Sequence, residues 1–153
     1  MTWIRRAGES EARLLSELAL RSKAHWGYTA EFITACREEL SVSSEAIRSG
    51  LVFVASLDEE IRGFYTLEVQ ADREAELGHL FVEPTHMGKG YGKALLEHAV
   101  EVARGMGLDR LVIQGDPHAR GFYESCGARH VCDRASASIP DRELPVFELS
   151  LVG

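Results

Sequence analysis

The sequence predicts an α+β domain built on a mixed, mostly antiparallel central sheet flanked by helices. Three features predict it. Helical periodicity fills the first third of the chain, an antiparallel run of strand-like segments follows, and a strand, a glycine-rich turn, a helix and a further strand then form a crossover. The 153 residues read as one domain over 1–153. A chain of about 150 residues buries roughly 68–70% of its unfolded surface, so no disulfide or metal staple is required.

Thr2–Arg6 reads as a short strand. From Ser10 to Lys23, the residues Leu14, Leu15, Leu18 and Ala19 recur at helical spacing, and His25-Trp26-Gly27-Tyr28 follows as an aromatic turn. Thr29 is placed to cap a second helix to about Leu40, with Phe32, Ile33 and Cys36 on one side and Arg37, Glu38 and Glu39 largely on the other. A short helical piece, Ser44–Ser49, ends at Gly50. The pattern then changes to strands: Leu51–Leu57, an acidic turn at Asp58-Glu59-Glu60, and Ile61–Gln70 read as a hairpin. Glu74–Val82 is a third strand, stopped by Pro84. A glycine-rich turn over Gly88–Gly92 opens an amphipathic helix to about Met106, with Leu95, Leu96, Ala99, Val100 and Ala103 inward. Beyond Gly107, Leu111–Gln114 is a short buried strand, Ala119–Cys126 a short helix and Ala128–Asp133 another strand. Ser136–Pro145 reads as a loop, and Val146–Leu151 alternates as a final strand should.

Asp plus Glu outnumber Lys plus Arg by 24 to 17, a net charge of −7 that repels a phosphate backbone, so no nucleic-acid partner is expected. A local basic site remains compatible with that balance. Cys36, Cys126 and Cys132 are odd in number and irregular in spacing, which suits reduced thiols better than a disulfide framework. Arg5 and Arg6 are followed by no apolar h-region, and no segment reaches membrane-spanning length. The expectation is a cytoplasmic protein with no membrane partner. Cys126, His130 and Cys132 lack the paired spacing of a zinc site, and His79 with Glu83, or His98 with Glu101, has no further acidic or Cys cluster beside it, so no metal is expected.

The most informative stretch is His86-Met87-Gly88-Lys89-Gly90-Tyr91-Gly92-Lys93, between a strand and a helix N-terminus. Such a turn can aim several backbone N–H groups at an anion, aided by the helix dipole. A Walker-type loop ending in Gly92-Lys93 would need glycine at Met87 and Ser or Thr at Ala94. A dinucleotide fingerprint starting at Gly88 would need its last glycine at Lys93. A plain helix-entry turn would use the same residues, and a short glycine motif alone does not exclude it. The spacing that remains, Gly90-x-Gly92 after a strand ending in Val82-Glu83-Pro84, resembles the pyrophosphate loop of the GCN5-related N-acetyltransferases (GNAT). Asp116-Pro117-His118-Ala119-Arg120-Gly121-Phe122-Tyr123-Glu124-Ser125-Cys126-Gly127-Ala128 is similar to the same family's later motif. The likeness covers about Leu51 to Val131 well and weakens toward both ends.

The resemblance implies a GNAT-like fold and an acetyl-CoA-dependent N-acetyltransferase that acts by direct attack of a primary amine, most simply on a small-molecule acceptor. It places acetyl-CoA, as cosubstrate, on the backbone of Leu80, Phe81 and Val82 and on Met87, Gly88, Lys89, Gly90, Tyr91, Gly92 and Lys93. Asp116, Ala119, Phe122 and Tyr123 complete that set from the second motif. The family usually has Arg or Gln at the position of Met87, and Met cannot donate a hydrogen bond. Lys89 and Lys93 are the nearby cations. Met87 also motivates an alternative, a non-catalytic acyl-CoA-binding or sensing module.

Tyr123 matches the tyrosine that protonates the coenzyme A thiolate. A phenol of pKa about 10 beside a thiol of about 8.5 is protonated at neutral pH. A core tyrosine packed with Phe122 would look the same in sequence. Glu76 matches the strand glutamate that serves as base in histone-modifying members, although a solvent-facing strand residue would also fit. His79 has the better unperturbed pKa for that work. Alternation points Glu76 and Gly78 one way and Leu77 and His79 the other, so at most one of Glu76 and His79 faces the acceptor unless a bulge intervenes. His25, Trp26 and Tyr28 lie where the family's first helical loop borders the acceptor, as an aromatic wall, a grip on a cation, or a plain surface turn. A homodimer is common in the family.

Overall fold

Four consecutive buried residues, Val52, Phe53, Val54 and Ala55, mark a strand covered on both faces. The computed structural model, which describes residues 3–152, builds outward from such strands. The strands are β1 (Ile4–Arg6), β2 (Val52–Leu57), β3 (Glu60–Gln70), β4 (Glu74–Val82), β5 (Arg110–Gln114), β6 (Arg129–Ala135) and β7 (Glu143–Ser150). The helices are α1 (Ala12–Ala24), α2 (Ala30–Leu40), α3 (Ser44–Arg48), α4 (Tyr91–Gly105) and α5 (Arg120–Ser125). Strand order in the sheet is β1-β2-β3-β4-β5-β7-β6. β1 with β2, β2 with β3, β5 with β7, and β6 with β7 are antiparallel, whereas β4 with β5 is parallel. This is the mostly antiparallel, helix-flanked sheet that the sequence predicts.

Internal contacts divide the chain into two compact units, one drawn from Met1–Thr66 and His79–His98, the other from Leu67–Gly78 and Ala99–Gly153. The first unit buries Leu15, Leu18 and Ala19 of α1, Cys36 and Leu40 of α2, Phe64 and Tyr65 of β3, and Leu95 and Leu96 of α4. Thr29 caps α2 as expected, its hydroxyl accepting from the Phe32 N–H at 3.1 Å. The β2–β3 hairpin turns through Asp58 and Glu59 with φ of 53° and 64°, the paired positive values that match the twist of its strands. The second unit buries Ala75 and Leu77 of β4, Ala99 and Ala103 of α4, Leu111 and Ile113 of β5, Tyr123 of α5 and Phe147 of β7.

Several boundaries differ from the sequence reading. Of the first strand, Thr2 lies outside the described residues. The first helix begins at Ala12 and not Ser10, because Glu9–Glu11 form a 3-10 turn in which the Glu11 carboxylate accepts from the Gly8 N–H at 2.8 Å. The last strand begins at Glu143, so Leu144 and Pro145 belong to β7 and not to a loop. A proline inside a strand normally removes a ladder bond. Here the β5–β7 register ends at Gln114↔Val146, and the Pro145 carbonyl accepts from the Gly115 N–H at 2.9 Å. The missing N–H therefore points where β5 has already ended. β6 also runs further than expected, to Ala135, because Arg134 and Ala135 pair with Leu144 and Glu143.

Candidate active site

In the first unit, the turn between β4 and α4 has the geometry of an anion cradle. Gly88 and Gly90 take φ of 78° and 88°, the left-handed region that ordinary side chains avoid. The Gly90 carbonyl accepts from the Ala94 N–H at 3.1 Å and so starts the helix. Among the described residues, the N–H groups of Gly88, Lys89 and Gly90 meet no backbone acceptor. Tyr91, Gly92 and Lys93 are the first residues of α4, whose N–H groups lack intrahelical partners by construction. Lys89 and Lys93 are exposed beside them, and Met87 is half-buried. Amides and two cations are thus gathered on one short segment.

The end of β4 leading into this turn is held by Gly63. A Cβ there would lie 2.9 Å from both the Phe81 carbonyl oxygen and Leu95 Cδ1, and 3.5 Å from the Val82 Cα. Next to it, the Glu83 N–H donates to the Arg62 carbonyl at 2.8 Å. The Glu83 carboxylate accepts two bonds from Arg21 of α1, at 2.9 and 2.8 Å. That fork holds Arg21 charged: its pKa is raised chiefly by the Glu83 hydrogen bond, with burial opposing.

Of the expected acceptor residues, His25 and Trp26 are exposed and meet edge to face at 5.7 Å. Tyr28 stacks on Phe32 with centroids 4.1 Å apart, and Lys23 Nζ sits 5.2 Å from its centroid. A cation from the chain itself therefore lies over the Tyr28 ring. His79 lies deeper, among Phe64 and Phe81, with Nδ1 2.8 Å from the Thr66 hydroxyl. Its Nε2 is buried without a hydrogen-bond partner among the described residues. Burial pushes its pKa down, and the C-terminal backbone of α2 at Leu40 with the Glu39 charge only partly offsets this. His79 is therefore an uncharged base at neutral pH.

In the second unit, the parallel register runs from Glu74↔Arg110 to Leu77↔Ile113, although β4 itself continues to Val82. Glu76 is held by Arg134, whose Nη1 donates to Glu76 Oε1 at 2.8 Å and to Gln114 Oε1 at 3.3 Å. Tyr123 is 6% exposed and packs against Phe122 and Phe147 at centroid distances of 5.1 and 5.5 Å. Its hydroxyl makes no hydrogen bond among the described residues. Burial raises its pKa well above the ordinary phenol value, with Cys126 and Asp116 adding to the effect. The group is accordingly a proton donor and not a phenolate. The Asp116 carboxylate accepts from the His118 N–H at 2.9 Å and meets Arg142 at 3.6 Å, so it shapes the 3-10 turn Pro117–Ala119 that leads into α5.

Sequence reading did not find Gly63, Gly115, Arg62 or Arg134. A Cβ on Gly115 would come within 3.0 Å of Tyr123 Cε2 and 3.2 Å of Phe147 Cε2. Gly115→Ala is therefore expected to shift the Tyr123 ring and to cost roughly 1–3 kcal/mol, as overpacking does. A urea midpoint equal to that of the parent would contradict it.

Residues 18–128 match the model of the Acetyltransferase (GNAT) family. The chain is 33% identical over 130 residues to the 5-NmdU N-acetyltransferase of Pseudomonas phage PaMx11, covering 83% of this chain and 86% of that protein. Its fold is similar to that of the PaiA N-acetyltransferase of Thermoplasma acidophilum in complex with coenzyme A, with a TM-score of 0.80 at 24% identity over 98% of this chain and 99% of the other. It is similar too to YncA of Salmonella typhimurium with acetyl-CoA, with a TM-score of 0.73 at 19% identity over 100% and 95%.

Proposed function

This chain belongs to the GNAT family of acetyl-CoA-dependent N-acetyltransferases, and from that premise we propose that it acetylates a primary amine on a small molecule by direct attack. The observation that carries the reading is the turn at Gly88–Lys93, in which Gly88 and Gly90 hold left-handed dihedrals and the N–H groups of Gly88, Lys89 and Gly90 meet no backbone acceptor among the described residues. A pyrophosphate fits that cradle because it needs several short donors and little side-chain bulk. Lys89 and Lys93 would neutralise part of its charge in place of the side chain that Met87 does not offer. Leu80, Phe81 and Val82 would offer their backbone to the pantetheine arm, the Val82 N–H polarising the thioester carbonyl. Acetyl-CoA supplies the electrophilic carbonyl carbon and a thiolate leaving group.

In the proposed step, a neutral amine nitrogen bonds to the acetyl carbon and the carbon–sulfur bond breaks. The nitrogen of the adduct then gives up its surplus proton to solvent, the thiolate gains one from Tyr123, and solvent returns a proton to the tyrosine, leaving an amide and a neutral thiol. An ammonium with an ordinary pKa of about 10.4 must first be deprotonated. We assign that task to Glu76 by family position, its carboxylate fixed in place by Arg134. His79, uncharged and buried, is the second base, and it is better suited to holding the acceptor beside Thr66.

Calorimetric titration with coenzyme A and acetyl-CoA, followed by thiol-release assays over an amine panel, tests the proposal. The phage relative's acceptor puts 5-NmdU in that panel. Saturable binding with amine-dependent thiol release is expected, and in the same assay Glu76→Gln should lower kcat more than it raises KM. Absence of binding at millimolar concentration would refute the reading, and binding without turnover on any amine would refute the catalytic part.

A further inference from the structure

The two ends of the glycine turn are gripped by side chains from the β2–β3 hairpin. At the leading end, His86 Nε2 meets Glu60 Oε1 at 2.6 Å. At the far end, Arg62 Nη1 donates to the Tyr91 hydroxyl at 2.8 Å, and its guanidinium carbon sits 5.7 Å from the Tyr91 ring centroid. The two grips share a member, because Arg62 Nε lies 3.4 Å from the same Glu60 oxygen. His86 and Tyr91 also meet edge to face at 6.1 Å. The chain of contacts continues into the turn, where His86 Nδ1 accepts from Lys89 Nζ at 3.3 Å.

We propose that Glu60 and Arg62 are positioning residues for the cofactor turn: acting through His86 and Tyr91, they fix both ends of the anion cradle and aim Lys89 at the pyrophosphate. The inference rests on the acetyl-CoA reading above. Each contact has a physical reason to be there. The Arg62 side chain is only 16% exposed, and its Nε is buried without a hydrogen bond, so its charge depends on the Glu60 oxygen and the Tyr91 ring and hydroxyl around it. An Arg so enclosed, at a fixed place in β3, is a rigid post and not a mobile surface cation. Lys89, exposed and long, would otherwise sample many rotamers, and ordering it in advance lowers the entropy cost of gripping an anion. The absence of a hydrogen-bonding side chain at Met87 makes such preorganisation more valuable in this chain. Because Glu60 is 57% exposed, its pairings are solvent-screened, and the effect belongs to the network and not to one ion pair.

The test measures the affinity of the full chain for coenzyme A by calorimetry, together with kcat and the acetyl-CoA KM, in Tyr91→Phe, Arg62→Gln, Arg62→Lys and the double variant Tyr91→Phe/Arg62→Gln. Tyr91→Phe deletes one hydroxyl and should fold normally even if Arg62→Gln does not. Expected are a rise in Kd of about threefold to tenfold for Tyr91→Phe and about tenfold or more for Arg62→Gln. The double variant should be no weaker than Arg62→Gln alone, since the hydroxyl acts through the guanidinium. Arg62→Lys should recover little, because an ammonium cannot serve both Glu60 and Tyr91 in the same geometry. Throughout, the acetyl-CoA KM should rise by a larger factor than kcat falls, as expected of a loss in cofactor binding. Unchanged Kd in Tyr91→Phe, additive losses in the double variant, or a fall in kcat at constant KM would overturn the inference. If the parent chain itself binds no coenzyme A, it is the functional reading that fails.

Discussion

Tyr123→Phe is expected to lower kcat by about a hundredfold or more, within the range typical of losing a general acid, while the acetyl-CoA KM changes little. Tyr123 is almost wholly enclosed, and that enclosure raises its pKa by disfavouring the phenolate. The hydroxyl has no hydrogen-bond partner among the described residues, so its proton is uncommitted until a thiolate forms. Removing one oxygen keeps the ring packed on Phe122 and Phe147, so the fold should tolerate the change. The raised pKa also fixes the sign of the pH response. The donor is lost only as pH rises beyond the ordinary phenol value, so no basic limb from Tyr123 should appear below about pH 10. Steady-state thiol release over a pH series checks both statements, and a variant with parental kcat would reduce Tyr123 to a packing residue.

Gly63→Ala is expected to be the most damaging conservative substitution in the first unit. The added methyl meets a backbone oxygen, Phe81 O, at 2.9 Å, as well as the flexible Leu95 side chain at the same distance. Leu95 can rotate, but a carbonyl moves only with its strand. Overpacking of this kind costs roughly 1–3 kcal/mol. The strand that must move is the one assigned to pantetheine, so function should suffer beyond stability. The expected result is a lower thermal midpoint together with weakened coenzyme A binding at temperatures where the variant is fully folded. Parental affinity in the folded variant would show that the Phe81–Val82 segment has slack.

What could be read from sequence, and what could not, follows the range of the interactions involved. The Thr29 cap, the acidic hairpin turn and the apolar stripe of α4 depend on neighbours within a few residues, and all three were legible. The glycine turn between β4 and α4 was legible for the same reason, since its glycines are contiguous with the start of the helix. The start of β7 was not, because Pro145 argues against a strand unless one knows that β5 has ended alongside it. Gly63 and Gly115 look like ordinary strand and turn glycines until the atoms facing them are known, Phe81 and Leu95 for one and Tyr123 and Phe147 for the other. Arg134 reads as a surface charge, and only the sheet brings it to Glu76, 58 positions away in sequence. Arg62 was invisible for the same reason, 29 positions from Tyr91.

A Cβ built on Gly88 or Gly90 meets nothing within 4 Å, although both residues hold positive φ. What limits replacement there is dihedral angle and not volume. A β-branched residue is shut out however small it is, while Asn and Asp, which visit the left-handed region at modest cost, satisfy the backbone. Asp would bring negative charge into a turn proposed to take an anion. Geometry and charge together leave Asn as a side chain that offends neither, and so define which drift the turn can absorb without losing its shape.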